Sequence, residues 1–284
     1  MIPTSFQYHR ASSVDEAVSL LSSLGDDAKI LAGGHSLIPA MKLRLNQAEH
    51  LIDISGIKDL RYIKMSGDTL HIGAGSTHTD IANSADVKEH MSILAETADL
   101  IGDRQVRNKG TIGGVLAHAD PAADYPAALL VANAEVVIKG GSGERVVAMN
   151  DFLLGLFETD LAENEIITEV RMPSAKGAGA TYQKFMQPAS RYAIVGCAVL
   201  IGDTVGKITD ARVAFTSVGE KAYRASGVED AINEKWASAE NISAAAARSV
   251  DGVDVLSDHF ASVEYRSHLA KVYAARALSK VLDK

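Results

Sequence analysis

Two pairs of adjacent glycines are the residues of this chain whose type and spacing could do chemistry. The first pair lies in the segment Ala32-Gly33-Gly34-His35-Ser36-Leu37, directly after the apolar run 28–32. Glycine has no Cβ and adopts positive φ, so several backbone N–H groups can converge on an anion at such a turn. A plain turn between two elements is the alternative interpretation. If the turn does bind an anion, the natural occupant is a phosphate.

A second segment repeats the pattern with a hydroxyl in front of the glycines. It reads Thr111-Ile112-Gly113-Gly114-Val115 and follows Arg107-Asn108-Lys109-Gly110. Two such loops could close on one extended diphosphate from two sides, with backbone N–H groups as the donors. The pair of segments therefore favours a dinucleotide-sized ligand over two unrelated turns.

Other reactive constellations are missing from the sequence. The nine histidines are scattered, and none shows the spacing of a zinc or iron site. There is no Gly-x-Ser-x-Gly elbow, and the single cysteine, Cys197, lies inside an apolar run where an inert buried thiol is expected. One cysteine cannot ligate an iron–sulfur cluster by the usual four thiolates. We therefore expect no metal and no catalytic residue on this chain, and a bound cofactor must carry the reaction.

Composition and charge limit the classes of partner that the chain could bind. The chain has 284 residues, 47% of them hydrophobic, and a formal net charge of −8. No basic run of the kind that follows a phosphodiester backbone is present, which argues against nucleic acid. We also expect no membrane span, and a cytoplasmic location, since no apolar run is long enough and the start lacks the pattern of a secretion signal.

The first loop should sit in a small α/β unit over residues 1–57. A capping box at Ser13-Val14-Asp15-Glu16 predicts a helix that Gly25 ends. Strands are predicted over 28–32 and 50–54, and Pro39 is predicted to be the first residue of a short helix. This places the first glycine loop at the carboxyl end of a strand.

The second loop should sit in a larger unit over residues 58–176. Hairpins are predicted at 62–73 and 135–148, and a strand at 165–173. A helix over 93–101 ends just before the second loop, which puts Ile101 near the ligand. The prolines and aspartates of 115–126 predict an irregular pocket wall. A proline and the segment 174–179 mark a domain boundary, after which strands at 192–201 and 207–218 and three helical patterns form a domain over 177–284.

These loops, together with Asp120-Pro121-Ala122-Ala123-Asp124, resemble the FAD-binding medium subunits of molybdenum hydroxylases, the carbon monoxide dehydrogenase type above all. The resemblance covers essentially the whole chain. It implies an α+β protein whose FAD-binding fold is of the vanillyl-alcohol oxidase type in two α/β lobes, 1–57 and 58–176, plus a C-terminal α+β domain, 177–284.

Within the resemblance, several side chains acquire roles. Asp124 matches an acidic residue at the FAD ribose or adenosine, with a solvated turn aspartate as the alternative, while Asp120 is expected to stabilise the turn. Tyr192 is placed over the isoalloxazine ring, with a core tyrosine as the alternative, and Lys184 reaches the flavin. His35 is expected to be a loop residue and not a covalent attachment point.

The full set of predicted cofactor-binding residues is Ala32, Gly33, Gly34, His35, Ser36, Leu37, Ile101, Thr111, Ile112, Gly113, Gly114, Val115, Asp124, Ile167, Lys184 and Tyr192. Two positions depart from the commoner family pattern. Val115 stands where the second loop usually carries Asn or Ser, and Met186 stands where some relatives carry a lysine. These departures affect the side-chain contacts expected with the phosphates of FAD. They do not affect the backbone contacts.

The resemblance implies an oxidoreductase subunit that binds FAD non-covalently. Substrate, which could be carbon monoxide, an aldehyde or an N-heterocycle, would be oxidised at a molybdenum cofactor on a large partner. Electrons would reach this FAD through iron–sulfur clusters of a small partner, in a dimer of heterotrimers, and leave to an external acceptor. The alternatives are a self-sufficient FAD oxidoreductase of related fold and a nucleotide-binding scaffold without a redox role.

Overall fold

The computed structural model describes residues 1–203 and 207–282, which form three main sheets and their helices. The helices are α1 Val14–Leu24, α2 Leu37–Lys42, α3 His78–Asn83, α4 Ala85–His90, α5 Ser92–Leu100, α6 Arg104–Arg107, α7 Ile112–His118, α8 Tyr125–Val131, α9 Met149–Phe152, α10 Ser226–Ile232, α11 Ala239–Ala246 and α12 Val263–Leu282. The strands are β1 Gln7–Arg10, β2 Ala28–Leu31, β3 His50–Asp53, β4 Ile63–Ser66, β5 Thr69–Gly73, β6 Glu135–Gly140, β7 Gly143–Ala148, β8 Leu153–Gly155, β9 Glu158–Thr159, β10 Ile166–Pro173, β11 Gly179–Met186, β12 Ala193–Asp203, β13 Thr209–Thr216 and β14 Tyr223–Arg224.

The first lobe is a parallel sheet of order β1-β3-β2 with α1 packed on it. Ser13 caps α1 by accepting a hydrogen bond from the Glu16 N–H at 3.1 Å, and Gly25 ends the helix at φ +66°. The Glu16 carboxylate, however, accepts from Ser12 and not from Ser13, so the reciprocal half of the predicted capping box is shifted by one residue.

The short helix α2 begins earlier than predicted. It starts at Leu37, so Pro39 is its third residue and not its first. A proline is tolerated there because the N–H groups of the first helical turn have no partner within the helix. The first glycine loop therefore runs from β2 into α2 with only residues 32–36 between them.

The second lobe carries an antiparallel sheet of order β4-β5-β10-β6-β7. Helices α5, α7 and α8 bury apolar faces in one core with this sheet. The predicted irregular segment is shorter than expected, since α7 continues to His118. Ala119 then ends the helix in a left-handed conformation at φ +50°, and α8 starts at Tyr125. The irregular wall is therefore confined to residues 119–124.

The third sheet, of order β11-β12-β13-β14, lies between two cores. Alternate residues of β12 point in opposite directions, as the pleat requires. Ala198 and Leu200 pack into the core of the second lobe, while Cys197 and Val199 pack against α10, α11 and α12. Cys197 is fully buried, and burial raises the pKa of its thiol. The domain boundary at 176/177 stays a prediction, because these two parts of the chain share a core.

Candidate functional site

A cavity of about 490 Å³ runs between the first lobe, the second lobe and the hairpin that joins β11 to β12. Both glycine loops line it. The fold thus brings together two segments that are about 80 residues apart in sequence, because each loop follows an element at the face where the two lobes meet.

All but two of the predicted binding residues line this cavity. Those that do are Ala32, Gly33, Gly34, His35, Ser36, Leu37, Ile101, Thr111, Gly113, Gly114, Val115, Asp124, Ile167 and Tyr192. The exceptions are Ile112 and Lys184. Ile112 is the first residue of α7, and its side chain is fully buried in the core of the second lobe.

The first loop presents its backbone to the cavity. Within the described part of the chain, the N–H groups of residues 32–36 donate no hydrogen bond. Gly34 has φ +74°, a conformation that a side chain disfavours. A Cβ on Gly33 would collide with the carbonyl oxygen of Lys109, which precedes the second loop. Unused N–H donors in a row on a cavity wall match the requirement of a bound anion.

The second loop differs, because the N–H groups of its residues 112–115 are already bonded within the chain. Ile112 donates to Ser76 O at 3.1 Å and Gly113 donates to Ala74 O at 2.9 Å. Gly114 donates to the capping hydroxyl of Thr111 at 3.1 Å, and Val115 donates to Thr111 O at 3.1 Å. The prediction that both loops supply backbone donors therefore stays a prediction for the second loop, where it concerns the N–H of Thr111.

The glycines of the second loop also serve close packing. A Cβ on Gly113 would lie 2.6 Å from the Ala74 Cβ and 2.9 Å from the Ala74 carbonyl oxygen, both protein atoms beneath the loop. It would not occupy ligand space. We therefore interpret Gly113 as a residue that lets α7 approach the segment after β5, leaving a smooth wall toward the cavity.

One histidine behind the second loop was not predicted as part of the site. His78 is the first residue of α3, is only 2% exposed, and lines the cavity. Burial, with smaller contributions from the positive fields of His35 and Arg107, lowers the pKa of His78 to about 4. Its Nδ1 has no hydrogen-bond partner among the described residues. Its burial comes from the packing of α3 within the second lobe, and no local motif in the sequence marks it.

The exposed histidine of the first loop has a local contact. The Nδ1 atom of His35 lies 3.3 Å from the carbonyl oxygen of Gly33, two residues earlier. This contact within the loop is of the kind predicted for a loop residue. It fixes the imidazole at the cavity wall without a distant partner.

Asp124 lies at the cavity wall and is 5% exposed. Its Oδ2 pairs with the Lys184 ammonium at 2.8 Å, and its Oδ1 accepts the Tyr182 hydroxyl at 2.6 Å. Burial raises the pKa of the Asp124 carboxyl, and the two donors oppose that rise. The solvated turn aspartate is therefore excluded. Lys184, whose side chain is 1% exposed, lies behind Asp124 and does not line the cavity, because the carboxylate occupies the intervening position.

Tyr192 also lines the cavity. It is 43% exposed, so the alternative of a core tyrosine is wrong. It precedes β12 and follows Arg191, whose φ of +63° turns the hairpin. Burial of the phenol and the negative fields of Asp120 and Asp124 raise the pKa of Tyr192, and a hydrogen bond with Ser36 acts against them. Tyr192 thus lies within electrostatic reach of Asp120 and Asp124.

The cavity has an apolar region as well. Leu161 and Ile166 contribute to it beside the predicted Ile167, and Lys29 and Glu165 stand nearby. Ser190 and Arg191 also line the cavity from the hairpin that carries Tyr192. These residues were missed because their segments carry no local motif. Asp120 accepts from Ala122 N–H at 2.9 Å, which confirms its predicted role in the turn.

Two negative findings concern residues 1–203 and 207–282. No group of three or more His, Cys, Asp or Glu side chains is arranged there to hold a metal ion. None of the helices in these ranges is long and apolar enough to cross a bilayer.

Comparison with known proteins gives matches over nearly the whole chain. Residues 4–175 match the family described as the FAD binding domain in molybdopterin dehydrogenase, and residues 180–281 match the CO dehydrogenase flavoprotein C-terminal domain. The carbon monoxide dehydrogenase medium chain of Hydrogenophaga pseudoflava is 41% identical over 98% of both chains. The glyceraldehyde dehydrogenase medium chain of Sulfolobus acidocaldarius is 35% identical over 99% of this chain and 100% of its own.

A solved structure gives the same result in three dimensions. It is the carbon monoxide dehydrogenase from Hydrogenophaga pseudoflava that lacks the Mo-pyranopterin moiety of its molybdenum cofactor. One of its chains superposes with a TM-score of 0.97 at 42% identity, covering 100% of this chain and 99% of that one.

Proposed function

The chain belongs to the family of FAD-binding subunits of molybdopterin dehydrogenases, and we propose that its cavity binds one FAD non-covalently for electron transfer. The family resemblance, the α+β class and the assignment to a multi-subunit oxidoreductase are confirmed by these matches. The observation that carries the proposal is the row of unused N–H groups at residues 32–36 on the cavity wall.

The first loop is proposed to hold the diphosphate of FAD. Its five successive N–H groups can donate to phosphate oxygens without breaking any bond in the protein. The second loop would then act as a close wall, with the Thr111 hydroxyl and the Cα atoms of its glycines facing the ligand. In this proposal the first loop supplies the backbone donors and the second loop forms a wall. The sequence had led us to expect donors from both loops.

The electrostatic influence of Asp124 on Tyr192 supports placing the two residues at the same end of the cavity. This differs from the contacts expected from the resemblance, which put Asp124 at the adenosine and Tyr192 at the flavin. We place both at the flavin end. The apolar region around Leu161, Ile166 and Ile167 then suits the adenine ring.

Bound FAD would supply the redox chemistry, by accepting electrons and delivering them to an acceptor. The residues of this chain bind it, orient it and control the access of water. Tyr192, on the exposed hairpin, would cover the ring, and the buried Asp124 carboxylate would set the charge at the flavin end of the cavity.

The partners and substrate follow as further proposals. A large subunit with the molybdenum cofactor and a small subunit with iron–sulfur clusters would complete a cytoplasmic dimer of heterotrimers. The relatives' names, medium chains of a carbon monoxide and a glyceraldehyde dehydrogenase, support this assembly. They support carbon monoxide and aldehydes as substrate classes of the complex, and N-heterocycles stay a prediction from the family resemblance.

A flavin analysis of the purified chain tests the proposal. FAD should appear in the supernatant after acid precipitation, because no covalent link to His35 is proposed. Yellow colour in the pellet would contradict the non-covalent mode, and a chain that neither contains nor takes up FAD would overturn the function itself. Alone, the chain should oxidise neither carbon monoxide nor an aldehyde, and activity comparable with a whole complex would refute its role as a subunit.

A further inference from the structure

The Asp124 carboxylate is held by the C-terminal part of the chain. Asp124 belongs to the second lobe, but both side-chain donors to its oxygens come from β11. Tyr182 donates to Oδ1 at 2.6 Å and Lys184 donates to Oδ2 at 2.8 Å, and Lys184 also reaches Leu100 O at 3.3 Å. Residues two apart in a strand point to the same face, so both donors reach the carboxylate together.

A second carboxylate of the second lobe fixes the same strand. Glu96 accepts from the backbone N–H of Tyr182 at 2.9 Å and from the Thr181 hydroxyl at 3.2 Å. It also pairs with Lys280 of α12 at 2.8 Å. The backbone of Tyr182 is therefore tied down on the second lobe while its hydroxyl holds Asp124.

The neighbouring strand leaves room for this hydroxyl. Gly196 of β12 has no side chain, and a Cβ there would collide with the Tyr182 hydroxyl oxygen. Gly196 is not among the glycines with positive φ, so its backbone conformation does not require glycine. The space above Gly196 is used by the phenol.

We propose that Tyr182 is a positioning residue for the cofactor: its hydroxyl fixes the Asp124 carboxylate at the flavin end of the cavity. This inference rests on the proposed function. Tyr182 is 1% exposed and is not among the described residues that line the cavity, so it acts through Asp124. Without the hydroxyl, Oδ1 of a buried carboxylate loses its donor, and the group must rotate or take up a proton.

Tyr182→Phe tests the proposal with Tyr223→Phe as the matched control. The Tyr223 hydroxyl is also part-buried in the C-terminal part of the chain, and it donates to Ser249 O at 2.9 Å. Both variants lose one phenol hydrogen bond and should lower apo stability, Tyr182→Phe by more because its acceptor is a buried carboxylate. Only Tyr182→Phe should raise the Kd for FAD, by roughly ten-fold, and shift the visible absorption and circular dichroism of the bound flavin.

The possible outcomes distinguish a failure of the positioning role from a failure of the proposed function. Unchanged Kd and flavin spectra in Tyr182→Phe, or equal changes in both variants, would overturn the positioning role. Wild-type protein that binds no FAD would overturn the proposed function instead.

If Tyr182→Phe folds too poorly to assay, Gly196→Ala gives the second test, because its Cβ collides with the phenol of Tyr182 without removing it, and also lies 2.7 Å from the Thr216 Cγ2. Gly202→Ala is its control in the same strand, since a Cβ there meets only the Asp210 side chain, at 3.1 Å. Weaker FAD binding in Gly196→Ala than in Gly202→Ala is expected. Equal and native affinity in both would refute the proposal.

Discussion

The two glycine pairs share a dipeptide but use it for different physical ends. The first pair lies in a loop with unused N–H groups, and Gly34 needs its positive φ. The second pair lies at the start of α7, where the N–H groups are bonded and Gly113 packs on Ala74. A glycine pair can therefore mean ligand donors or close helix packing, and the hydrogen bonds of the loop distinguish the two.

The largest effect is expected at Gly33, where the two loops touch. In Gly33→Ala the new methyl group collides with the Lys109 carbonyl oxygen, which is backbone and cannot rotate away. The loops must separate, so FAD binding should be lost and apo stability should fall by about 1–3 kcal/mol. FAD content after gel filtration and urea unfolding measure both.

Gly141→Ala is the control for this variant, because a Cβ there meets no atom within 4 Å. It should bind FAD like the wild type. Retention of FAD by Gly33→Ala would show that the contact between the loops is dispensable.

Acid should lower the stability of the folded chain through His78, which lies behind the second loop. The pKa of His78 is about 4 in the folded chain, against about 6.5 when unfolded. Below the unfolded value only the unfolded state takes up the proton, so stability is lost as pH falls from about 6.5 to about 4. The loss from this group approaches about 3 kcal/mol.

Urea unfolding of the apo chain at several pH values in this window checks the acid effect against His78→Gln, which cannot titrate. The difference in the free energy of unfolding between wild type and variant should shrink toward low pH. A difference that is constant with pH would contradict a neutral, buried His78.

Gly113→Ala should reduce apo stability by up to about 2 kcal/mol. The overlap with Ala74 costs about 1–3 kcal/mol, and the gain in helix propensity of about 1 kcal/mol offsets part of it. Thermal unfolding of the apo chain measures the loss. Adding Ala74→Gly should recover part of it, and no recovery would place the strain elsewhere.

The smallest effects on stability are expected at the second glycine of each pair, Gly34 and Gly114, and the two positions should differ in FAD binding. Gly34→Ala places a methyl group at φ +74°, at a cost of about 1–2 kcal/mol, and should weaken FAD binding because the N–H groups change direction. Gly114→Ala has ordinary helical φ and meets only the Thr111 hydroxyl, at 2.9 Å, so its stability should stay within about 0.5 kcal/mol of wild type. Isothermal titration with FAD and thermal unfolding compare them.

Gly25→Ala is a control for the cost of placing a side chain at positive φ. Gly25 has φ +66°, no atom within 4 Å of an added Cβ, and no place among the residues that line the cavity. The FAD affinity of Gly25→Ala should stay native, and its stability cost reports the effect of positive φ without the additional contacts of Gly34→Ala, whose Cβ would lie 3.0 Å from Ile38 Cγ1 and 3.1 Å from Leu31 Cδ1. Equal affinities in Gly34→Ala and Gly25→Ala would remove the first loop from the diphosphate site.

Local signals in the sequence were sufficient for most elements near the site. The Ser13 cap, the Gly25 stop and the hairpin between β4 and β5 depend on neighbours within a few residues, so residue type predicts them. Pro39 was misplaced by two positions because the first helical turn accepts proline at several of its residues. Strand β14 carries only two residues and no alternation that a sequence could display.

The sequence by itself determined the glycine loops, the acidic residue and the tyrosine that meet at the cavity, because each stands in a recognisable motif. Tertiary structure alone decided how they act. Whether a loop N–H is free depends on partners such as Ala74 and Ser76, about 40 residues away in the chain. The position of Lys184 behind Asp124 depends in the same way on β11 meeting the second lobe, since only folded packing decides which partner a buried charge finds.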